Sequence, residues 1–139
     1  MFEIILILNA IWFALGFHAF AIRSIIFAKT IVPKQHRDTP VFDMLAASGK
    51  FVGGLNFALC ILNVLILMNP GSFPESNQRL ILCIGFALAH GSQFLPNVFI
   101  ALDNRKGKGV WQVKGRMLFI FVTDFILMIG NFVVAGWYA

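Results

Sequence analysis

Charged residues are scarce in this sequence, and acidic residues are scarcer than basic ones. Only 12% of the 139 residues are charged, and these comprise 6 acidic and 11 basic side chains. Soluble domains carry about a quarter charged residues, and a small soluble fold leaves much of its surface in water. With 59% apolar residues and a mean hydropathy of +0.84, the chain has more apolar side chains than such a fold could bury. The composition excludes a soluble domain and favours a protein of the lipid bilayer.

Sequence motifs of known chemistry are missing as well. The chain has no His-Glu-x-x-His, no Cys-x-x-Cys, no glycine-rich phosphate loop and no nucleophile elbow. Its two cysteines, Cys60 and Cys83, lie inside apolar runs and are interpreted as small buried apolar residues. The net charge of +5 comes from loops and helix ends, without a basic face interleaved with aromatic residues. We therefore expect no metal site and no nucleic-acid partner, and any cofactor is unknown.

Four long apolar runs are present instead. They cover residues 4–22, 51–68, 80–102 and 117–139, and Asp124 is the one charged residue within them. Each run is close to the roughly 20 residues that a helix needs to cross the hydrocarbon core. The runs are too long for strands and lack two-residue alternation. We predict one all-α domain over residues 1–139, an up-down bundle of four transmembrane helices at about 3–30, 41–69, 78–103 and 112–138.

The basic residues predict the orientation of this bundle. The first and third connections, over about 33–40 and 104–109, carry nine of the 11 lysines and arginines when the flanking Arg23, Lys29, Lys114 and Arg116 are included, whereas the second has only Glu75 before Arg79. Lysine and arginine accumulate on the cytoplasmic side of a membrane. We therefore expect a multi-pass protein of the cell's inner or plasma membrane, with loops 1 and 3 in the cytoplasm and both termini outside.

The second and fourth predicted helices share a sequence pattern. Residues 56–63 and 124–131 both begin with an acid or amide followed by Phe, and both end with Asn. This match suggests a duplicated two-helix hairpin, whose halves would be related by an axis along the membrane normal. The first and third helices share only the spacing from His18 to Phe27 and from His90 to Phe99. Chance matching of common apolar residues therefore stays open as the alternative.

Polar side chains form stripes along the predicted helices. Such groups are costly in lipid, so they usually face other helices and find partners there. At 1.5 Å per residue, several lie about 8–18 Å from the cytoplasmic ends of their runs, in the same half of the bilayer. These stripes predict a polar pocket that opens toward the cytoplasm. The predicted ligand-binding residues are His18, Asn56, His90, Gln93, Asn97 and Asp124.

Asp124 is the most informative of these residues. A carboxylate inside a membrane is costly to keep ionised unless a partner holds it. It could be a functional acid that handles a proton or binds a ligand, with His18 or His90 as partner. It could equally form an interhelical hydrogen bond that fixes the helix register, the role we expect for Asn63 and Asn131. Both interpretations of Asp124 stay open.

The N-terminal half of the second helix carries a family resemblance. Residues 50–59, Lys-Phe-Val-Gly-Gly-Leu-Asn-Phe-Ala-Leu, combine a basic residue with a Gly-Gly pair. In this segment, in chain length and in helix count, the sequence resembles the DoxX-like small four-helix membrane proteins. The resemblance implies a four-helix architecture, but that class varies in function and implies no activity.

Four functions remain as hypotheses. The first is a small membrane protein that binds an amphipathic or lipid-like molecule, or that serves as accessory subunit of a membrane complex. Its possible assemblies are a homo-oligomer or a larger membrane complex. The second is an integral membrane enzyme that uses Asp124 and a histidine as acid and base. The third is a haem or quinone protein with His18 and His90 as axial ligands. The fourth is a transporter. It ranks last because four helices enclose little room for a transport path unless the protein oligomerises.

Overall fold

The protein is mainly helical over the residues that its structure, a computed structural model, describes, namely 1–108 and 111–139. Four segments are long and apolar enough to cross a membrane, so the prediction of an all-α chain with four such helices is confirmed. The α-helices are α1 (Phe2–Phe17), α2 (Ser24–Ile31), α3 (Pro40–Met68), α4 (Ser76–Arg105) and α5 (Arg116–Gly136).

A π-helical turn interrupts the first predicted helix. The sequence predicted one helix over about 3–30, but α1 ends at Phe17 and a π turn covers His18–Ile22. The backbone N–H of Arg23 donates to the carbonyl of His18 at 2.8 Å, which is an i to i+5 bond. Arg23 then leaves helical geometry, with φ −117° and ψ 48°, before α2 begins. The candidate membrane span is therefore Phe2–Ile22, and α2 is a separate short helix.

An arginine caps the end of α2. The side chain of Arg37 donates through Nε to the carbonyl of Val32 and through Nη2 to the carbonyl of Lys29, both at 2.8 Å. The last carbonyls of a helix lack partners within the helix, and a nearby cation also offsets the negative end of the helix dipole. One of the basic residues in the first connection thus has a local structural role.

The fourth helix begins with a capping box and continues through a proline. The Glu75 side chain accepts from the N–H of Gln78, and Gln78 Oε1 accepts from the N–H of Glu75 at 3.3 Å. These reciprocal bonds satisfy two backbone donors at the helix start. Pro96 lies inside α4 without ending it. The helix therefore carries His90, Gln93 and Asn97 on one continuous segment.

An asparagine organises the described part of the segment between α4 and α5. Asn104 Nδ2 donates to the carbonyls of Lys108 and Trp111, and Asn104 Oδ1 accepts from the N–H of Val113. Gly107 allows the turn because its φ is +70°, a value that favours glycine. The predicted third connection reaches residue 109, which lies outside the described residues.

The chain divides into two compact units. One, the network unit, comprises residues 1–9 and 63–139, and the other, the glycine unit, comprises residues 10–62. In the network unit α4 packs against α5, and the ring of Phe94 lies 4.7 Å from Phe121 and 5.1 Å from Phe125 between centroids. In the glycine unit the buried apolar cluster consists of Ala28, Phe42 and Ala46, with Val32 and Leu45 packed against it.

The spanning helices keep most of their apolar surface exposed. The most apolar window of each span is only 17–28% buried within the protein. Large side chains such as Phe51, Leu88 and Phe119 are more than 60% exposed. Such a surface would be unstable in water but is suited to lipid, because lipid chains are as apolar as these side chains.

Candidate functional site

Four polar side chains are buried together in the network unit. Asn9 of α1, His90 of α4 and the α5 residues Asp124 and Asn131 are between 0 and 2% exposed. Buried polar groups are costly unless they have hydrogen-bond partners. Each of these four lies within hydrogen-bond distance of another, and we call this set the polar network. It is the strongest candidate for a functional site among the described residues.

Two ionisable side chains meet at one end of the network. His90 Nδ1 lies 3.2 Å from Asp124 Oδ1, and both side chains are almost completely buried. His90 comes from the middle of α4, and a Cβ added at the neighbouring Gly91 would lie 3.3 Å from Sδ of Met128 on α5. The absence of a side chain at position 91 thus lets α4 and α5 come close beside the pair. The sequence left His18 and His90 open as partners of Asp124, and the structure places His90 beside it.

Two amides meet at the other end. Asn9 Nδ2 donates to Asn131 Oδ1 at 3.0 Å, and Asn131 Nδ2 donates to Asn9 Oδ1 at 2.9 Å. Asn131 Nδ2 also donates to the carbonyl of Leu127 at 2.8 Å. His90 Nε2 lies 3.1 Å from Asn9 Oδ1, which joins the amides to the ionisable pair. Asn131 therefore forms the interhelical hydrogen bonds that its sequence position predicted.

The other four predicted site residues are not part of the network. Gln93 and Asn97 are half-buried on α4, and Asn97 Nδ2 donates to the carbonyl of Gln93 at 2.9 Å. His18 is exposed in the π turn. Asn56 is buried, donates to the carbonyl of Val52 at 2.8 Å and packs against Gly16. Both His18 and Asn56 belong to the glycine unit, so the network contains only His90 and Asp124 of the six predicted residues.

Sequence reasoning missed Asn9. This residue is the one amide in the apolar run over 4–22, but His18 was the residue of that run predicted to belong to the site. A lone amide in a membrane span is the signal that could have identified it, because such a group needs a partner on another helix. Its position in the chain gave no indication of which helix would supply that partner.

The network does not resemble a pocket that holds a large group. A cavity of about 20 Å³, room for one water, lies elsewhere in the network unit beside Phe2, Phe73 and Arg79. Axial ligation of a haem needs a free imidazole nitrogen, whereas both ring nitrogens of His90 lie against side-chain oxygens. His90 thus does not fit the haem alternative in this arrangement. In residues 1–108 and 111–139, no group of three His, Cys, Asp or Glu side chains could hold a metal ion.

These features define the class of the protein. It is an integral membrane protein with four apolar helices, and it carries a buried histidine–carboxyl pair in its network unit. Comparisons with known protein families, with curated proteins and with solved structures found no match to this chain. The likeness to DoxX-like proteins therefore stays a resemblance confined to residues 50–59, chain length and helix count.

Proposed function

We propose that this protein binds a small amphipathic or lipid-like molecule in the membrane and that the His90–Asp124 pair holds and exchanges a proton in doing so. The single observation that supports the proposal is the 3.2 Å contact between these two buried side chains within membrane-spanning helices. Ionisable residues inside a membrane usually mark a ligand pathway or a proton relay. A purely structural bond at this depth could be formed by two amides, as Asn9 and Asn131 do.

A ligand would approach the pair along α4. Gln93 and Asn97 lie about one and two turns beyond His90 and are half-buried, so their amides could hold a polar head group. Because His90 and Asp124 are almost completely buried, the ligand would reach them only after a local separation of helices. Proton exchange and ligand binding would therefore be coupled, since both need the same opening.

The proton exchange can be tested without knowing the ligand. We expect the protein in lipid vesicles to show a carboxyl carbonyl stretch in pH-jump infrared difference spectra, because Asp124 gains or loses a proton. The band should shift in D2O and should be missing in Asp124→Asn. The matched control is Asp43→Asn, which removes an exposed acid at the start of α3 and should leave the band in place.

Two outcomes would contradict the proposal. One is a difference spectrum without any band that depends on Asp124, at every pH at which the protein stays folded. The other concerns the ligand and is read by mass spectrometry of organic extracts. Purified protein and Asp124→Asn should differ in the amphipathic molecules that they retain, and identical extracts would argue against ligand binding at this pair.

The orientation of the chain is part of the same proposal. We expect cysteines introduced at Gln35 and Lys106 to react with a membrane-impermeant maleimide only from the cytoplasmic side, and one at Ser72 only from outside. The labelling is best done with Cys60 and Cys83 replaced by alanine, so that no native thiol contributes. The opposite pattern would invert the topology and place both termini in the cytoplasm.

An accessory-subunit role is the second candidate. It is favoured by the low burial of the spans, only 17–28% within the protein, because a neighbouring membrane protein or a second copy could cover the exposed apolar faces. Mass measurement in detergent distinguishes a monomer from a homo-oligomer. A monomer that retains a ligand would support binding, whereas a larger mass that includes a co-purifying second protein would favour the subunit role.

A further inference from the structure

The orientation of the Asn131 amide is fixed by the backbone of its own helix. Asn131 Nδ2 lies 2.8 Å from the carbonyl oxygen of Leu127, and a carbonyl oxygen can only accept a hydrogen bond. The atom that faces it must therefore be the amide nitrogen. The same nitrogen also faces one side-chain atom of Asn9 at 2.9 Å, so that atom must be the oxygen Oδ1. The remaining bond, from Asn9 Nδ2 to Asn131 Oδ1, is consistent with this assignment.

The Asn9 oxygen in turn fixes a proton on His90. Asn9 Oδ1 lies 3.1 Å from His90 Nε2, and an amide oxygen can only accept. A hydrogen bond at this distance therefore requires Nε2 to carry a proton. Of the two neutral forms of the imidazole, the one with its proton on Nδ1 would place two lone pairs against each other here. The two amides thus select the Nε2–H form, although only one of them touches the ring.

The opposite side of the ring then needs a second proton. With Nε2 protonated, a neutral His90 presents a bare Nδ1 to Asp124 Oδ1 at 3.2 Å. An ionised Asp124 would repel this lone pair, so a proton must lie between the two atoms. Either Asp124 is protonated and donates to Nδ1, or His90 is an imidazolium that donates to the Asp124 carboxylate. Both forms hold the same number of protons and have no net charge.

We propose that Asn9 and Asn131 form an amide relay that holds the His90–Asp124 pair in its proton-loaded, uncharged state. This inference deepens the proposed function. Only the functional role of the proton rests on that proposal, whereas the position of the proton does not. Losing the proton would leave a net negative charge on a buried pair, which is costly in an apolar medium. The relay adds to that cost because it blocks the Nδ1–H form of the imidazole, which could otherwise donate to an ionised Asp124. Asn9 and Asn131 are therefore positioning residues.

Nitrogen NMR of the histidine ring tests this inference directly. The protein is labelled with ¹⁵N in its histidine rings and reconstituted in lipid at neutral pH, and the His90 resonances are those missing from His90→Gln. We expect the Nε2 resonance of His90 at the position of a protonated ring nitrogen. A bare Nε2 in the unmodified protein would overturn the proposal, and this measurement needs no variant of Asn9 or Asn131.

Asn131→Leu then tests action through the relay. Asn131 does not hydrogen-bond to His90, but without it the Asn9 amide is free to turn its nitrogen toward the ring. We expect the His90 Nε2 resonance to move toward the position of an unprotonated nitrogen, and Asn9→Leu should move it in the same direction. The matched control is Asn69→Leu, which removes an amide bonded to the carbonyl of Leu65, away from the proposed site, and should leave the resonance unchanged.

The outcomes separate this inference from the proposed function. An unchanged His90 spectrum in folded Asn131→Leu and Asn9→Leu would show that the amides do not set the proton position, and the inference would be wrong. A protonated Nε2 that moves in both variants, together with no Asp124 infrared band, would support the relay and contradict proton exchange. A shift of equal size in Asn69→Leu would show a general structural effect and would also overturn the inference.

Discussion

The two units of this chain hold their helices together by different means. In the network unit, buried side chains on α1, α4 and α5 exchange hydrogen bonds between 2.9 and 3.2 Å long. In the glycine unit, backbones approach each other where side chains are smallest. A Cβ placed on Gly53 would lie 2.5 Å from both N and Cβ of Ala21, and one on Gly49 would lie 2.9 Å from the ring of Phe27.

The difference shows two ways to associate helices without a hydrophobic driving force. Lipid chains are as apolar as leucine, so helices gain little by hiding apolar side chains from lipid. Close contact at glycine and alanine gains dispersion energy over many atom pairs. It is possible only because these residues lack the side-chain atoms that would hold the helices apart. A polar network needs a few specific hydrogen-bond donors and acceptors, and each bond contributes a modest stabilising energy. The glycine unit should therefore be sensitive to added volume, and the network unit to lost hydrogen bonds.

The largest effect is expected for Gly53→Ala. The new methyl group would meet the backbone of Ala21, which cannot rotate away, so we expect a loss of about 3 kcal/mol in the free energy of unfolding. Thermal unfolding in detergent measures this loss. Gly54→Ala is the matched control, because nothing lies within 4 Å of a Cβ at that glycine. It should be neutral or stabilise by about 0.5–1 kcal/mol through helix propensity. Equal effects of the two substitutions would contradict the close-contact account.

A smaller loss is expected for Asn9→Leu. The substitution removes three hydrogen bonds, two with Asn131 and one with His90. At about 0.6 kcal/mol for each interhelical bond in a membrane, the loss should be about 2 kcal/mol. Denaturation in mixed micelles provides the measurement, with Asn97→Leu as a control that removes only a bond within α4. A network without energetic importance would give the same value for both variants.

The smallest effect concerns Asp124. Asp124→Leu removes the partner of His90 Nδ1 and should cost about 1 kcal/mol, whereas Asp124→Asn should change stability little. The amide nitrogen of the new side chain could donate to Nδ1 while the relay keeps Nε2 protonated. The same denaturation experiment gives both values. Equal losses for Asn and Leu would show that charge or proton exchange, and not the hydrogen bond, supports the fold.

The break in the first helix could not be predicted from its residues. Residues 18–31 contain no proline or glycine, and their apolar character continues past Arg23, so the sequence favoured one helix. The π turn at His18–Ile22 lies where Ala21 meets Gly53. Helix propensity is a local quantity, whereas this contact joins residues more than thirty positions apart. Tertiary packing overrode the local preference here.

The candidate site was predictable in part. Asp124 and His90 were identified because ionisable groups in apolar runs are costly, and they prove to be partners. His18 and Asn56 were predicted as site residues because they are polar and lie at a similar depth, yet they lie outside the network. Depth along a helix follows from residue counting, but the direction in which a side chain faces its neighbours depends on how each helix is rotated and packed. Sequence spacing therefore predicted the depth of each residue but not the direction of its side chain.

The sequence by itself determined that this is a membrane protein with four apolar helices, because the free energy of transfer into lipid depends on the residues of each segment alone. It also determined that polar residues in these helices need partners, for the same reason. Only the tertiary structure decided which partners they have. Asn9 and Asn131 are separated by 122 positions and still exchange two hydrogen bonds. The proton on His90 Nε2 follows from that contact, because Asn131 orients the Asn9 oxygen toward the ring. One side chain can orient another in this way only when the two are in contact.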